Sequence, residues 1–180
     1  IKINRIEAKE DELLERIRNE GANSPADIFV TVDASRLAKA DELGIFAPVQ
    51  SSALEARIPA HLRTANWFSY STRARVIVYN PDAVKAEQVQ TYEQLADPAL
   101  KGQVCTRSGS HPYNLSLGAA MIKHNGAEAT EKWASGVVAN FARAPKGGDT
   151  DQIRAVAAGE CGVAIANSYY LARLMNSDKR

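Results

Sequence analysis

Apolar residues recur along the chain in two rhythms, and the change from one to the other marks its elements. In "KEDELLERIRNEG", Leu13, Leu14 and Ile17 share one side of a 3.6-residue repeat, and charges fill the other. Gly21 suits the position just past a helix end. "ADIFVTVDA" then runs apolar and β-branched, a buried strand ending near Thr31 and Asp33. "SRLAKADELG" returns to the helical rhythm, with Ser35 as its candidate cap and Gly44 as its stop. The opening "IKINRIEA" reads as a further strand through Ile1, Ile3 and Ile6. Strand, helix, strand, helix predicts a parallel sheet with helices on its faces.

Residues 51 to 71 are richer in loop signals, with Pro59, Trp67, Phe68 and Tyr70, and mark where the chain begins to pass between two halves. "ARVIVYN" is the next strand, closed by Pro81. "TYEQLADPALKG" opens a helix with Thr91 and Gln94 in a capping-box spacing. "GQVCTR" is a strand and "NLSLGAAMIKHNG" a helix ended by Gly126. "AEATEKWASGVVANF" is a helix with Trp133, Val137 and Phe141 on one side. "DTDQIRAVAAGE" is a short helix capped by Asp149 or Thr150, and "CGVAIAN" is the last strand. The pattern is two α/β units joined by crossing segments, with a cleft between them. The ends, "IKINRIEA" and "LMNSDKR", read as those of a piece of a longer protein.

Composition narrows the function classes. The 180 residues are 45% apolar, ordinary for a globular protein. With 22 basic and 21 acidic residues the net charge is +1, which gives no electrostatic reason to expect nucleic acid. No run approaches the ~18 apolar residues of a membrane span. Cys105 and Cys161 fit no zinc spacing, and both sit in apolar segments. They are either two buried thiols or a disulfide between neighbouring strands, which would imply an oxidising compartment.

No phosphate-loop, dinucleotide or nucleophile-elbow motif is present. "KGGDT" could place an anion at a helix start, although a capped helix start explains it equally. His61 and His124 are scattered, and His111 sits in a polar turn beside Tyr113. An α/β enzyme therefore ranks last among the functions considered. Of six tyrosines, Tyr79 and Tyr92 read as packing residues. Tyr113, Tyr169 and Tyr170 instead lie beyond the carboxyl ends of strands, where open α/β sheets meet ligands. Phenolates from several loops suit a hard, highly charged cation such as ferric iron. Packing, or stacking on an organic ligand, remains the alternative.

"GANSPADIFVTVDASRL", "STRARVIVYNPDAV", "SGSHPYN" and "FARAPKGGDTDQIRAVAAGECGVAIANSYYLARL" together resemble the periplasmic ferric-iron-binding proteins of bacterial ABC transporters, in the iron-deficiency-induced protein A branch. The resemblance implies an α/β, periplasmic-binding-protein-like (type II), two-lobed venus-flytrap fold, here a fragment lacking the first strand and the C-terminal portion. Residues 1–72 would be part of the first lobe, 73–80 a crossing strand and 81–180 the second lobe. It implies Tyr113, Tyr169 and Tyr170 as Fe(III) ligands, with a synergistic anion such as carbonate as a candidate to complete the coordination. The family's further tyrosine and histidine fall in the segment missing here. Arg107, close to Tyr113, could hydrogen-bond a phenolate or balance charge. Arg73 and Arg75, two apart on a strand, would share a face, and Thr31 and Asp33 would line the cleft. For all five, a surface or structural salt-bridging role is equally compatible. The implied setting is the periplasm and the implied partner an inner-membrane ABC permease, with the protein a monomer. A flytrap protein for a small oxyanion or organic acid is the alternative, with Arg107 and the helix start at Thr150 recognising charge.

Overall fold

The computed structural model describes residues 2–177. They fall into two compact units, one ending at Thr72 and the other starting at Arg73.

The first unit holds helices α1 (Glu10–Glu20), α2 (Ala34–Glu42) and α3 (Ser52–Arg57). Gly21 ends α1 with φ 54°, and Leu14 and Ala40 are fully buried. Arg36 makes a two-pronged bond to Asp11, Nε to Oδ1 at 3.2 Å and Nη2 to Oδ2 at 3.0 Å. The α2 cap is Asp33 rather than Ser35: its Oδ1 accepts from the Ser35 amide at 2.9 Å.

Neither strand expected before residue 45 forms among the described residues. Ile3 and Ile28 are each 82% exposed, and Val30 and Ile6 are exposed too; Ile1 lies outside the described residues. The physical reason is pairing. A β-branched run becomes a strand only where a neighbour takes its N–H and C=O groups and covers one face. Thr31 and Asp33 therefore end no strand. The parallel sheet predicted for residues 1–45 does not form among the described residues; an isolated antiparallel bridge joins Arg63 and Phe68 later in the unit.

The second unit is α/β. Strands β1 (Arg75–Tyr79), β2 (Val104–Cys105) and β3 (Val163–Asn167) lie in the order β1-β3-β2. β1 runs antiparallel to β3, with Arg75 opposite Asn167, and β2 runs parallel to it, with Cys105 opposite Ala164. β1 starts at Arg75, so Arg73 and Arg75 do not share a strand face. Helices α4 (Pro112–Asn125), α5 (Ala127–Ala139), α6 (Asp149–Ala157) and α7 (Ser168–Ser177) complete the unit. β3 is buried along its whole length, as expected of a central strand. Its core partners are Val84, Leu95, Leu100, Val104 and Val137, with Trp133 and Phe141 against them.

Three local readings are corrected. Residues 91–102 form two 3-10 turns, 93–96 and 98–100, because Asp97 precedes Pro98 and takes an extended conformation. Helix α4 starts at Pro112, so Tyr113 lies inside its first turn, and His111 Nδ1 accepts from the Tyr113 amide as the cap. Helix α6 is capped neither by Asp149 nor by Thr150. Asp151 Oδ2 reaches back to the Gly148 amide at 2.7 Å. That amide is then not available to an anion at "KGGDT".

Tyr92 packs against the core as expected, its hydroxyl donating to the Arg75 carbonyl and its own carbonyl accepting from Trp133 Nε1 at 2.6 Å. On α5, a Cβ on Gly136 would lie 2.8 Å from Ala96 Cβ and 3.1 Å from the Ala96 carbonyl oxygen. In an open helix, glycine to alanine stabilises by ~1 kcal/mol. Here Gly136→Ala is expected to destabilise by about 1–3 kcal/mol through overpacking. Urea unfolding gives the sign.

Candidate metal centre

Helix α7 follows β3 without a linking residue: Asn167 ends the strand and Ser168 begins the helix. Tyr169 and Tyr170 therefore occupy the first helical turn, about 100° apart around its axis rather than on opposite strand faces. Their rings stack with centroids 4.2 Å apart. Tyr113 approaches from the first turn of α4, buried and edge-on to His111 at 4.6 Å. The three phenols lie within interaction range of one another, and the Tyr170 and Tyr113 hydroxyls act on Tyr169 to favour its ionised form.

That focus separates their acidities. Burial, followed by the hydrogen bond to Tyr169, pushes Tyr113 well above the ordinary tyrosine value. Burial and the Tyr169 bond raise Tyr170 as well. Burial also acts to raise Tyr169, but the two donated hydrogen bonds and the Arg73 charge outweigh it, and its pKa falls below the ordinary value.

Four guanidiniums surround the phenols. The Cζ atoms of Arg75 and Arg107 lie 5.5 and 5.2 Å from the Tyr113 ring centroid. Arg73 lies 5.9 Å from the Tyr169 centroid. Arg173 lies 5.6 and 5.4 Å from those of Tyr169 and Tyr170. Arg75 and Arg107 both bond Asp149, and Arg75 also donates to Asn114 and Asn167. Thr31 and Asp33 belong to the other unit.

Arg173 and Asp149 were not singled out for the site from the sequence. Arg173 stands four residues after Tyr169 and three after Tyr170, the spacing at which helix side chains meet, so helical periodicity could have found it. Asp149 had no such signal, since its partners lie 74 and 42 residues away. Among the described residues, no group of three His, Cys, Asp or Glu is placed to hold a metal. His111 already accepts through Nδ1.

Three converging hydroxyls in a cationic shell form an all-oxygen donor set. It suits a hard trivalent ion, which displaces phenol protons, better than a thiolate- or imidazole-seeking one. The chain matches the bacterial extracellular solute-binding protein family over residues 23–179. It belongs to that family. The chain is 54% identical over 180 residues to iron uptake protein A1 of Synechocystis sp., covering 99% of this chain and 50% of that protein. Among solved structures it is similar to Trichodesmium IdiA (FutA) in complex with iron and citrate ligands. There the TM-score is 0.90 and the identity 54%, over 96% of this chain and 55% of that one. It is also similar to the ferric binding protein from Campylobacter jejuni, with TM-score 0.92 and 45% identity over 98% and 57% of the two chains. The chain thus shares their α/β, type II periplasmic-binding-protein-like fold while spanning about half their length.

Cys105 and Cys161 are joined by a disulfide with Cα atoms 5.9 Å apart. It clips the end of β2 to the residue before the Gly162–Val163 entry into β3.

Proposed function

We propose that Tyr113, Tyr169 and Tyr170 bind ferric iron as phenolates in a periplasmic protein that delivers the ion to an inner-membrane ABC permease. The observation that carries this reading is the placement of three phenols in two first helical turns, the Tyr169–Tyr170 pair stacked and each ring beside an arginine guanidinium. Relatives named for iron uptake and ferric binding support iron as the cargo. Residues 1–72 would belong to one lobe, 73–80 to a crossing strand and 81–180 to the other lobe. Three phenolates leave positions open on the ion, to be filled by other donors, water or an anion. For the oxyanion alternative, Arg107 is already paired with Asp149, and the Gly148 amide next to the helix start at Thr150 with Asp151.

Titration of the full-length protein with ferric citrate tests this. A visible phenolate-to-iron charge-transfer band saturating at one iron per protein is expected; a colourless complex would overturn it.

Each phenol must lose its proton to bind. Acid therefore opposes capture, and affinity rises with pH below the phenol pKa values. Uptake of one ferric ion from a weakly buffered solution is expected to release about three protons from these groups. A pH-stat counts them, and a count unchanged on Tyr113→Phe would remove Tyr113 from the set.

A further inference from the structure

Beneath the Tyr113 ring lies a buried charge cluster that phenolate ligation alone does not use. Asp149, at the first position of α6, is 1% exposed. Its Oδ2 accepts from Arg75 Nη1 at 3.0 Å and from the Asn167 amide at 2.8 Å, and its Oδ1 accepts from Arg107 Nη1 at 3.1 Å. One carboxylate thus ties together the start of β1, the loop after β2 and the end of β3. Two like charges held under one ring repel, and the shared anion offsets that repulsion. Arg75 spends its other Nη bonds on Asn167 and Asn114. Among the described residues, neither guanidinium hydrogen-bonds a tyrosine oxygen. Yet the Nε of each is buried with no partner. A guanidinium released from Asp149 would take the strongest acceptor in reach, and a phenolate is such an acceptor.

We propose that Asp149 is a positioning residue for the metal site: its carboxylate holds Arg75 and Arg107 against the Tyr113 ring and so leaves the phenolate oxygens to the ferric ion. This rests on the phenolate reading above. The cationic shell then favours ionised phenols through space without competing for their lone pairs. Loss of Asp149 converts the two cations from a supporting field into rivals of the metal.

The test uses the full-length protein, with ferric affinity measured by competition against citrate and the charge-transfer band recorded. Thermal unfolding checks each variant's fold. Asp149→Asn is expected to weaken ferric binding by about 10–100-fold, the scale for losing a group that orients a metal ligand. Its band should move to shorter wavelength, because guanidinium hydrogen bonds withdraw charge from the phenolates. Adding Arg107→Gln restores the wild-type net charge and removes one rival, so the double variant should regain most of the affinity and the band position. A merely structural Asp149 would give no such rescue. Folded Asp149→Asn protein with wild-type affinity and band would overturn the proposal, as would a folded double variant that binds as weakly as Asp149→Asn. If Asp149→Asn alone does not fold, the charge-matched double variant decides: near-wild-type binding supports the proposal and weak binding overturns it. A wild-type protein without the band overturns the phenolate reading and this proposal together.

Discussion

Replacing Tyr169 and Tyr170 together by phenylalanine is expected to abolish the charge-transfer band almost entirely. It should lower ferric affinity by more than the ~10–100-fold that loss of an orienting neighbour costs. On the phenolate reading, two ligand oxygens vanish and little else changes. Both rings are half-buried, and Phe keeps the ring stack and the packing against Arg173. The Tyr169 hydroxyl also interacts with those of its two neighbours, so its removal takes a shared partner from both. Tyr113→Phe alone should leave part of the band, since the stacked pair survives on α7. Thermal unfolding separates ligand loss from fold loss. Retained affinity in a folded double variant would show that iron, if bound, is held elsewhere.

What the sequence made legible follows from the range of the interactions involved. The helices α1, α2 and α5 appear close to where the rhythm placed them, α4 begins two residues earlier, and Gly21 and Gly126 end α1 and α4 with positive φ. The β3–α7 junction was also readable: a β-branched run stops at Asn167 and a helical pattern begins at once. The failures are those of partnership. Residues 26–33 have strand chemistry but, among the described residues, no strand beside them, and a sequence window does not reveal whether a neighbour exists. The Asp149 network failed to show for a related reason. As a carboxylate in a first helical turn, Asp149 reads as a cap or dipole partner. Only the fold brings Arg75 and Arg107 to it across 74 and 42 residues. Arg173 was overlooked rather than hidden, because it is a local helical neighbour of both tyrosines. The convergence of Tyr113 with the pair was reached through family resemblance. Periodicity alone placed the three phenols near strand ends and left packing open as their purpose.

Removing the Cys105–Cys161 disulfide by a double alanine substitution is expected to destabilise the second unit by about 4 kcal/mol, the chain-entropy value for a loop of this length. The bridge spans 56 residues of sequence, so its absence frees a long loop in the unfolded chain. Both sites are buried, at 0% and 2% exposure, and pack with Ala155, Val156 and Ala164, so alanine leaves only small gaps. The native side of the balance matters too. β2 pairs with β3 through only Val104 and Cys105, too few residues for the ladder alone to hold them firmly. Two residues past Cys105 stands Arg107, and six past Cys161 stands Asn167, both partners of Asp149. The clip therefore fixes the two strand ends from which the charge cluster under Tyr113 is built. Urea unfolding followed by tryptophan fluorescence from Trp133 measures the loss. A midpoint within ~1 kcal/mol of wild type would mean that the core around Val104 and Val163 already aligns β2 with β3 without the covalent link.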